Sequence, residues 1–193
     1  MVVPILKRIG IGIGAATLVV VLVGLFLPRT WTVSRTEVIA APRERVHALC
    51  EDLEQWPAWT PLFSAGPGVE VTMGPVTRGE GAHQSWQGDG AGGELTITRS
   101  DPDWGVAFTI AFLDRSTRAN SSLTYETAPD GVAVTWDVTG DSGWNVMERY
   151  LGLLMDPLLG PMFGDGLTRL KLVAEDKAPD AAEAAAAAVD SGR

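Results

Sequence analysis

Apolar and polar positions along this chain fall into three regimes. From Ile9 to Leu27 no residue is charged and no polar face breaks the run. At ~1.5 Å per residue, its ~19 residues reach across a hydrocarbon core of ~30 Å as a helix. Lys7 and Arg8 precede the run, as they would in a signal peptide. The run ends in Leu25-Phe26-Leu27-Pro28, which places large side chains where a signal peptidase needs small ones. The pattern predicts an uncleaved signal anchor, with a cleaved signal peptide as the competing reading.

The second regime alternates with period two. Trp31 to Ala40 reads as a strand, with Trp31, Val33, Arg35 and Glu37 on one face. Pro42 then suits the first position of a short helix. On it Val46, Leu49, Cys50 and Leu53 share one face, and Arg43, His47, Glu51 and Glu54 lie opposite. This makes Cys50 a small buried hydrophobe and His47 a solvated surface residue. Trp56-Pro57-Ala58-Trp59-Thr60-Pro61 stops the helix, because each proline disfavours helix at the residue before it. Extended segments follow at Gly68–Met73, Gly79–Gly88 and Glu94–Arg99, the last two joined by a glycine-rich turn from Gly88 to Gly93. Trp104–Phe112 carries Val106, Phe108, Ile110 and Phe112 on one face. Ser121–Thr127 alternates through Leu123 and Tyr125. Pro129-Asp130-Gly131 is a turn signal before Val132, Val134, Trp136 and Val138. Consecutive hairpins of this kind imply an antiparallel sheet with one buried face.

In the third regime the period becomes helical. Asn145–Met155 holds Val146, Met147, Tyr150, Leu151 and Leu154. Asp156-Pro157 and Gly160-Pro161 interrupt it, and the prolines suit helix starts better than helix interiors. Met162, Phe163, Leu167, Leu170 and Val173 then mark an amphipathic helix to about Asp176. The division is a basic tail at 1–8, an anchor at 9–28, one domain at 29–177 and an alanine-rich acidic tail at 178–193 with little to bury. One sheet must bury one face, and the last helix is its only large apolar partner. A twisted sheet wrapped around a helix leaves a space between them, lined by apolar side chains and suited to a ligand.

Charge and composition narrow the function classes. The 193-residue chain carries a formal net charge of -9, and its pI is near 4.6. That balance, with no Lys/Arg cluster, excludes a nucleic-acid partner. Cys50 is the only cysteine, so no intramolecular disulfide forms. The basic residues on the two sides of the anchor, Lys7 and Arg8 against Arg29, Arg35, Arg43 and Arg45, do not separate well. The domain is expected outside the cytoplasm because long domains translocate largely regardless of charge. Gly10 and Gly14 form a small-xxx-small pair that could seat a weak dimer. Gly10, Gly12 and Gly14 follow no strand, which rules out a nucleotide loop.

The order strand, helix, Trp56-Pro57-Ala58-Trp59, Gly79–Gly88 with Gly81-Ala82 and Trp86, Trp136 on the last strand and a closing Gly166-Leu167-Thr168-Arg169-Leu170-Lys171 resembles the START-like, or SRPBCC, superfamily. It is most similar to the bacterial polyketide cyclase/dehydrase-like members, over roughly Trp31 to Glu175. Many relatives carry an N-terminal membrane helix ending much as Leu25 to Pro28 does. The resemblance implies an α+β helix-grip (START-like, Bet v 1-like) fold, an antiparallel sheet wrapped around a long C-terminal helix, here preceded by one transmembrane helix. It implies a deep hydrophobic cavity but no particular reaction, since carriers, cyclases, receptors and oxygenase subunits share the fold.

Candidate chemistry is sparse. His47 and His83 are the only histidines, and nothing in the sequence brings them together, so neither a metal site nor a cofactor is expected. No G-x-S-x-G elbow is present. Alternation puts Ala82, Gln84 and Trp86 on one face of their strand and His83, Ser85 and Gln87 on the other. Gln84 is then the polar group offered to a ligand, and His83 points to solvent. The expected cavity lining is Gln84, Trp86, Phe108, Ile110, Tyr125, Trp136, Met155, Met162 and Phe163, with Arg149 and Tyr150 either at its mouth or on the surface. His83, Glu94 and Tyr125 are the titratable groups a cyclase-type reaction could use. The expectation is a membrane-tethered binding protein for a hydrophobic small molecule or lipid. A cyclase/dehydrase-type enzyme using the same cavity is the alternative, and a structural or chaperone role is a third.

Overall fold

The computed structural model describes residues 3–60, 68–88, 91–112 and 118–176. Seven strands form one antiparallel sheet in the order β1-β7-β6-β5-β4-β3-β2. They are β1 (Thr30–Ile39), β2 (Glu70–Met73), β3 (His83–Gly88), β4 (Ala91–Asp101), β5 (Gly105–Phe112), β6 (Arg118–Ala128) and β7 (Gly131–Asp141). The helices are α1 (Val3–Phe26), α2 (Arg43–Glu51) and α3 (Val146–Ala174), with a 3-10 turn at Leu53–Ala58. This is the helix-grip arrangement. In the β6–β7 hairpin, Gly131 adopts φ +142°, in a region that L side chains rarely enter. A register shift between Ile97 and Arg99 bends β4 and helps the sheet to curl.

The strands fall where expected; β4, β6 and β7 extend further because backbone pairing continues past the alternating side chains, whereas β2, β3 and β5 begin later, at Glu70, His83 and Gly105. The inward positions of β5 to β7 are buried: Val106, Phe108, Leu123, Val134 and Trp136 are each 0–1% exposed. The side chain of Phe112, the tail at 178–193 and the tip of the β3–β4 turn lie outside the described residues.

α3 runs alongside β1 in the same direction. Gly152 faces Trp31 and Gly160 faces Arg35. Arg35 pairs with Asp156 at 2.8 Å, and Lys171 with Glu37 at 2.6 Å. The Ala40 N–H donates to Glu175 Oε1 at 2.7 Å. The start of α3 is capped by Asn145, whose side chain accepts from the Met147 N–H and donates to Glu148 Oε1.

Two expectations are corrected. Pro157 and Pro161 do not start a helix; both lie inside one continuous α3. Each removes one backbone donor, leaving the carbonyls of Leu153 and Pro157 without their helical partners. Leu153, Pro157 and Pro161 are all exposed, so water can serve those carbonyls. The second correction is His47, which is 5% exposed rather than solvated. Its face of α2 packs on the sheet, against Ser100 of β4 and Tyr125 of β6. His47 Nδ1 lies 3.4 Å from the Tyr125 hydroxyl, and Nε2 lies 3.3 Å from Ser100 Oγ and from Glu51 Oε2.

α1 takes in Lys7 and Arg8 and the uncharged run as far as Phe26. The side chains of residues 3–11, 13 and 16 are outside the described set. Among the described residues no helix is long and apolar enough to cross a membrane. A Cβ added at Gly12 or Gly14 would meet nothing within 4 Å.

Candidate ligand cleft

The space between α3 and the sheet is not one open cavity. Its centre is filled by an aromatic chain. Trp136 stacks on Phe163 at 4.4 Å between ring centroids, with planes 4° apart. Trp59 meets Trp136 edge-on at 5.7 Å and Trp56 at 5.3 Å, and Trp56 meets Phe108 at 5.1 Å. The indole N–H groups are satisfied: Trp136 donates to Ser121 Oγ, Trp56 to the Cys50 carbonyl and Trp59 to the Leu49 carbonyl. Gly166 lets α3 approach this chain, since a Cβ there would press on the Trp136 ring. The segment Trp56–Trp59 thus does more than end a helix: it plugs the middle of the fold.

Among the described residues, a cleft of about 410 Å³ opens beside the first half of α3. Its walls are Trp31 of β1, Ile110 of β5, Ala119 of β6 and Val138 and Gly140 of β7. Leu151, Gly152, Met155, Leu159 and Phe163 of α3 close the other side. Arg118, Asp141 and Glu148 also line it, and all three are exposed, which places them at its rim. The Trp31 ring lies between Gly140 and Gly152, where any Cβ would crowd it.

Of the expected lining, Ile110, Met155 and Phe163 face this cleft. Phe108 and Trp136 are consumed by the core, each 1% exposed. Trp86 is half-buried against Gly93 of the next strand, and Met162 is 36% exposed. Gln84 is buried at 1% as the alternation predicted, and its Nε2 has no hydrogen-bond partner among the described residues. The rest of the lining was missed, above all Trp31, Gly140 and Gly152. The signal was a large aromatic opposite two glycines, visible only once β1, β7 and α3 are aligned.

The three titratable candidates His83, Glu94 and Tyr125 do not converge. His83 Nδ1 sits 3.0 Å from Thr96 Oγ1 on the neighbouring strand. Glu94 lies on the opposite face of β4 from the buried Leu95 and Ile97. Tyr125 is under α2; burial, with Cys50 and Glu51 nearby, pushes its hydroxyl far above the ordinary phenol range. Burial also pushes the Cys50 thiol up to about 12, so it is an inert core residue. Among the described residues no group of three His, Cys, Asp or Glu side chains could hold a metal.

Arg149 is neither a mouth residue nor a surface one. It is 3% exposed and fastens α1 to α3. Its guanidinium donates to the Leu25 carbonyl at 2.8 Å, to those of Gly24 and Leu27 at 3.4 Å, and to that of Gly143 at 2.9 Å. Tyr150 donates its hydroxyl to the Val20 carbonyl at 2.8 Å. A buried cation on the carbonyls at a helix C-terminus is well placed electrostatically.

Residues 30–175 match the sequence profile of the family described as polyketide cyclase / dehydrase and lipid transport. No curated protein matches the chain significantly. Several solved structures share the fold. A solution structure from Staphylococcus epidermidis aligns with TM-score 0.54 at 15% identity, covering 79% of this chain and 94% of that one. A crystal structure from Chromobacterium violaceum gives 0.51 at 16%, covering 77% and 98%. DynU16, a putative protein in the dynemicin biosynthetic locus, gives 0.52 at 20%, covering 77% of this chain and 48% of that one. The chain therefore spans about half of DynU16.

Proposed function

Because this chain belongs to the polyketide cyclase / dehydrase and lipid transport family, we propose that it holds a hydrophobic small molecule or lipid in the cleft beside α3 while tethered to a membrane by α1. One observation carries the binding reading. The cleft has aromatic and aliphatic walls, its charged groups stand at the rim, and its volume of about 410 Å³ lies within the usual range for small-molecule sites. Apolar walls favour burial of an apolar ligand, and a few rim groups suffice to orient a polar end. The tether rests on the uncharged run from Ile9 to Leu27. It also rests on the exposed apolar side chains of α1, from Leu18 to Val23 with Leu25 and Phe26, the last 89% exposed. A water-facing helix with that surface would be costly. The cell membrane with the domain outside the cytoplasm is the arrangement that fits.

The cyclase/dehydrase-type alternative is supported by Asp141 and Glu148, two carboxylates on the cleft, beside Arg118. An acid or base could act from there on a bound substrate.

Titration with an apolar fluorophore or a fatty acid tests the binding reading. Ala119→Trp should fill the cleft and weaken binding ~10-fold or more, by displacing contact area the ligand would occupy. Met155→Ala, which enlarges the cleft, should keep binding. Unchanged affinity in a folded Ala119→Trp protein would remove the cleft as the site. Turnover of a co-purified compound that is lost in Glu148→Gln while retention persists would favour the enzyme.

A further inference from the structure

The outward face of α3 carries an apolar stripe that the fold does not use. Met147, Leu151, Leu154 and Leu158 recur at spacings of four, three and four, so they share one side of the helix. They are 66%, 53%, 56% and 60% exposed, and Trp144 just before the helix is 75% exposed. Soluble surfaces seldom leave so continuous an apolar patch uncovered.

We propose that this face of α3 lies on the lipid bilayer and that the cleft opens there, so that the ligand is a membrane lipid or a lipid-dissolved molecule taken up directly from the bilayer. The inference rests on the tether reading of α1.

Three contacts fix the geometry. First, α1 and α3 touch without a spacer, since a Cβ at Gly24 would collide with Val146 and Tyr150. Second, the bond from the Tyr150 hydroxyl to the Val20 carbonyl sets the depth. Val20 lies about 10 Å of helix before the end of the uncharged run. The first turns of α3 are therefore level with the last turns of the tether. Amphipathic helices seat their apolar faces ~5–10 Å into the boundary between headgroups and acyl chains. Third, Arg149 binds the last carbonyls of α1 from α3, so the two helices keep one mutual orientation.

The occupant follows from continuity. Val146 and Tyr150, which touch α1, are the chain neighbours of Met147 and Leu151, so the stripe begins next to the exposed apolar surface of α1 and a bilayer that holds α1 reaches it. A second protein copy would have to cover both helices at once. Arg29 stacks over the Trp144 ring at 3.7 Å where the tether ends. A cation beside an indole is the pairing expected at headgroup level. Leu151 links the surface to the site, because it belongs to the stripe and also lines the cleft.

The test uses the full chain in phosphatidylcholine vesicles, with a nitroxide on Leu154→Cys or, as the remote control, on Asp130→Cys in the β6–β7 turn. Cys50 is fully buried and stays unlabelled in the folded protein. The Leu154 label should be relaxed by oxygen and shielded from a water-soluble nickel chelate, and the Asp130 label should show the reverse. A Leu154 label open to nickel overturns the docking. Broadening by a second nitroxide overturns it in favour of a contact between copies. Carbonate extraction of the same vesicles separates the two readings. A retained chain with a nickel-accessible Leu154 label loses the docking alone, and a released chain loses the tether. For the opening, Leu154→Glu with Leu158→Glu should slow uptake of fluorescent phosphatidylcholine from vesicles ~10-fold or more. The affinity for the same lipid supplied in detergent micelles should not change. Equal vesicle uptake rates in variant and wild type would overturn direct entry from the bilayer.

Discussion

Glu51 ties α2 to the sheet through two kinds of partner. Arg78 donates to its Oε1, with Nε at 2.8 Å and Nη2 at 2.7 Å, and Ser100 Oγ donates to its Oε2 at 3.0 Å. Burial alone would raise its pKa, but the hydrogen bonds from Arg78 and Ser100 and the nearby His47 outweigh it, and the carboxyl is held below the ordinary range. A depressed folded-state pKa stabilises the fold fully above the unfolded value, ~4.3 for glutamate. That contribution is lost as pH falls through the lower folded-state value. Urea unfolding of wild type and Glu51→Gln should therefore differ at neutral pH and converge in acid. A gap between them that widens on acidification would contradict this account. The sequence placed Glu51 and His47 on the polar face of α2, which is correct as amphipathicity. It could not show that this face is covered by Ser100 and Tyr125, because that depends on where β4 and β6 pass.

At the scale of elements, α3 carries two prolines without breaking. A proline inside a helix costs ~3 kcal/mol relative to alanine. The burial of Phe163, Leu167 and Leu170, each 0–3% exposed, and the ion pairs to β1 hold the helix against that cost. Pro157→Ala should restore the bond to the Leu153 carbonyl and stabilise the protein by ~1–2 kcal/mol, after allowing for the freer unfolded chain. An unchanged or lower thermal midpoint would mean that a proline-dependent bend is needed for α3 to follow β1. Local rules put a helix boundary at Pro157 or Pro161 because they see only neighbouring residues; the partner that carries α3 through is β1, more than a hundred residues earlier.

The whole molecule joins an apolar helix, a curled sheet and a grip helix at one corner. Residues Gly24, Arg149 and Tyr150 make that corner, and the cleft begins beside it. The full chain should resist carbonate extraction from membranes. A chain beginning at Arg29 should leave the membrane, yet still associate weakly with vesicles through Trp144, Met147 and Leu154. Full-length protein at mature size in the soluble fraction would rule out the tether. Vesicle binding by the shortened chain would be measured by flotation, and its complete absence would count against the α3 surface.

The alternation of Val106 to Ile110 and of Val132 to Val138, the turn at Pro129-Asp130-Gly131 and the helical period after Asn145 were enough to determine the antiparallel sheet and its closing helix. They are local signals, set by whether side chains repeat every two or every 3.6 residues. The burial of Cys50, Gln84 and Phe163 followed from the same periodicity. Tertiary structure alone decided how the space under α3 is divided. Phe108 and Trp136 point inward, as their strands require, but Trp56, Trp59 and Phe163 arrive from other elements and fill their side of it. The cleft is left where Trp31 faces Gly140 and Gly152. Periodicity gives the direction of a side chain; only the distance to what it meets determines whether it becomes core or lines a site.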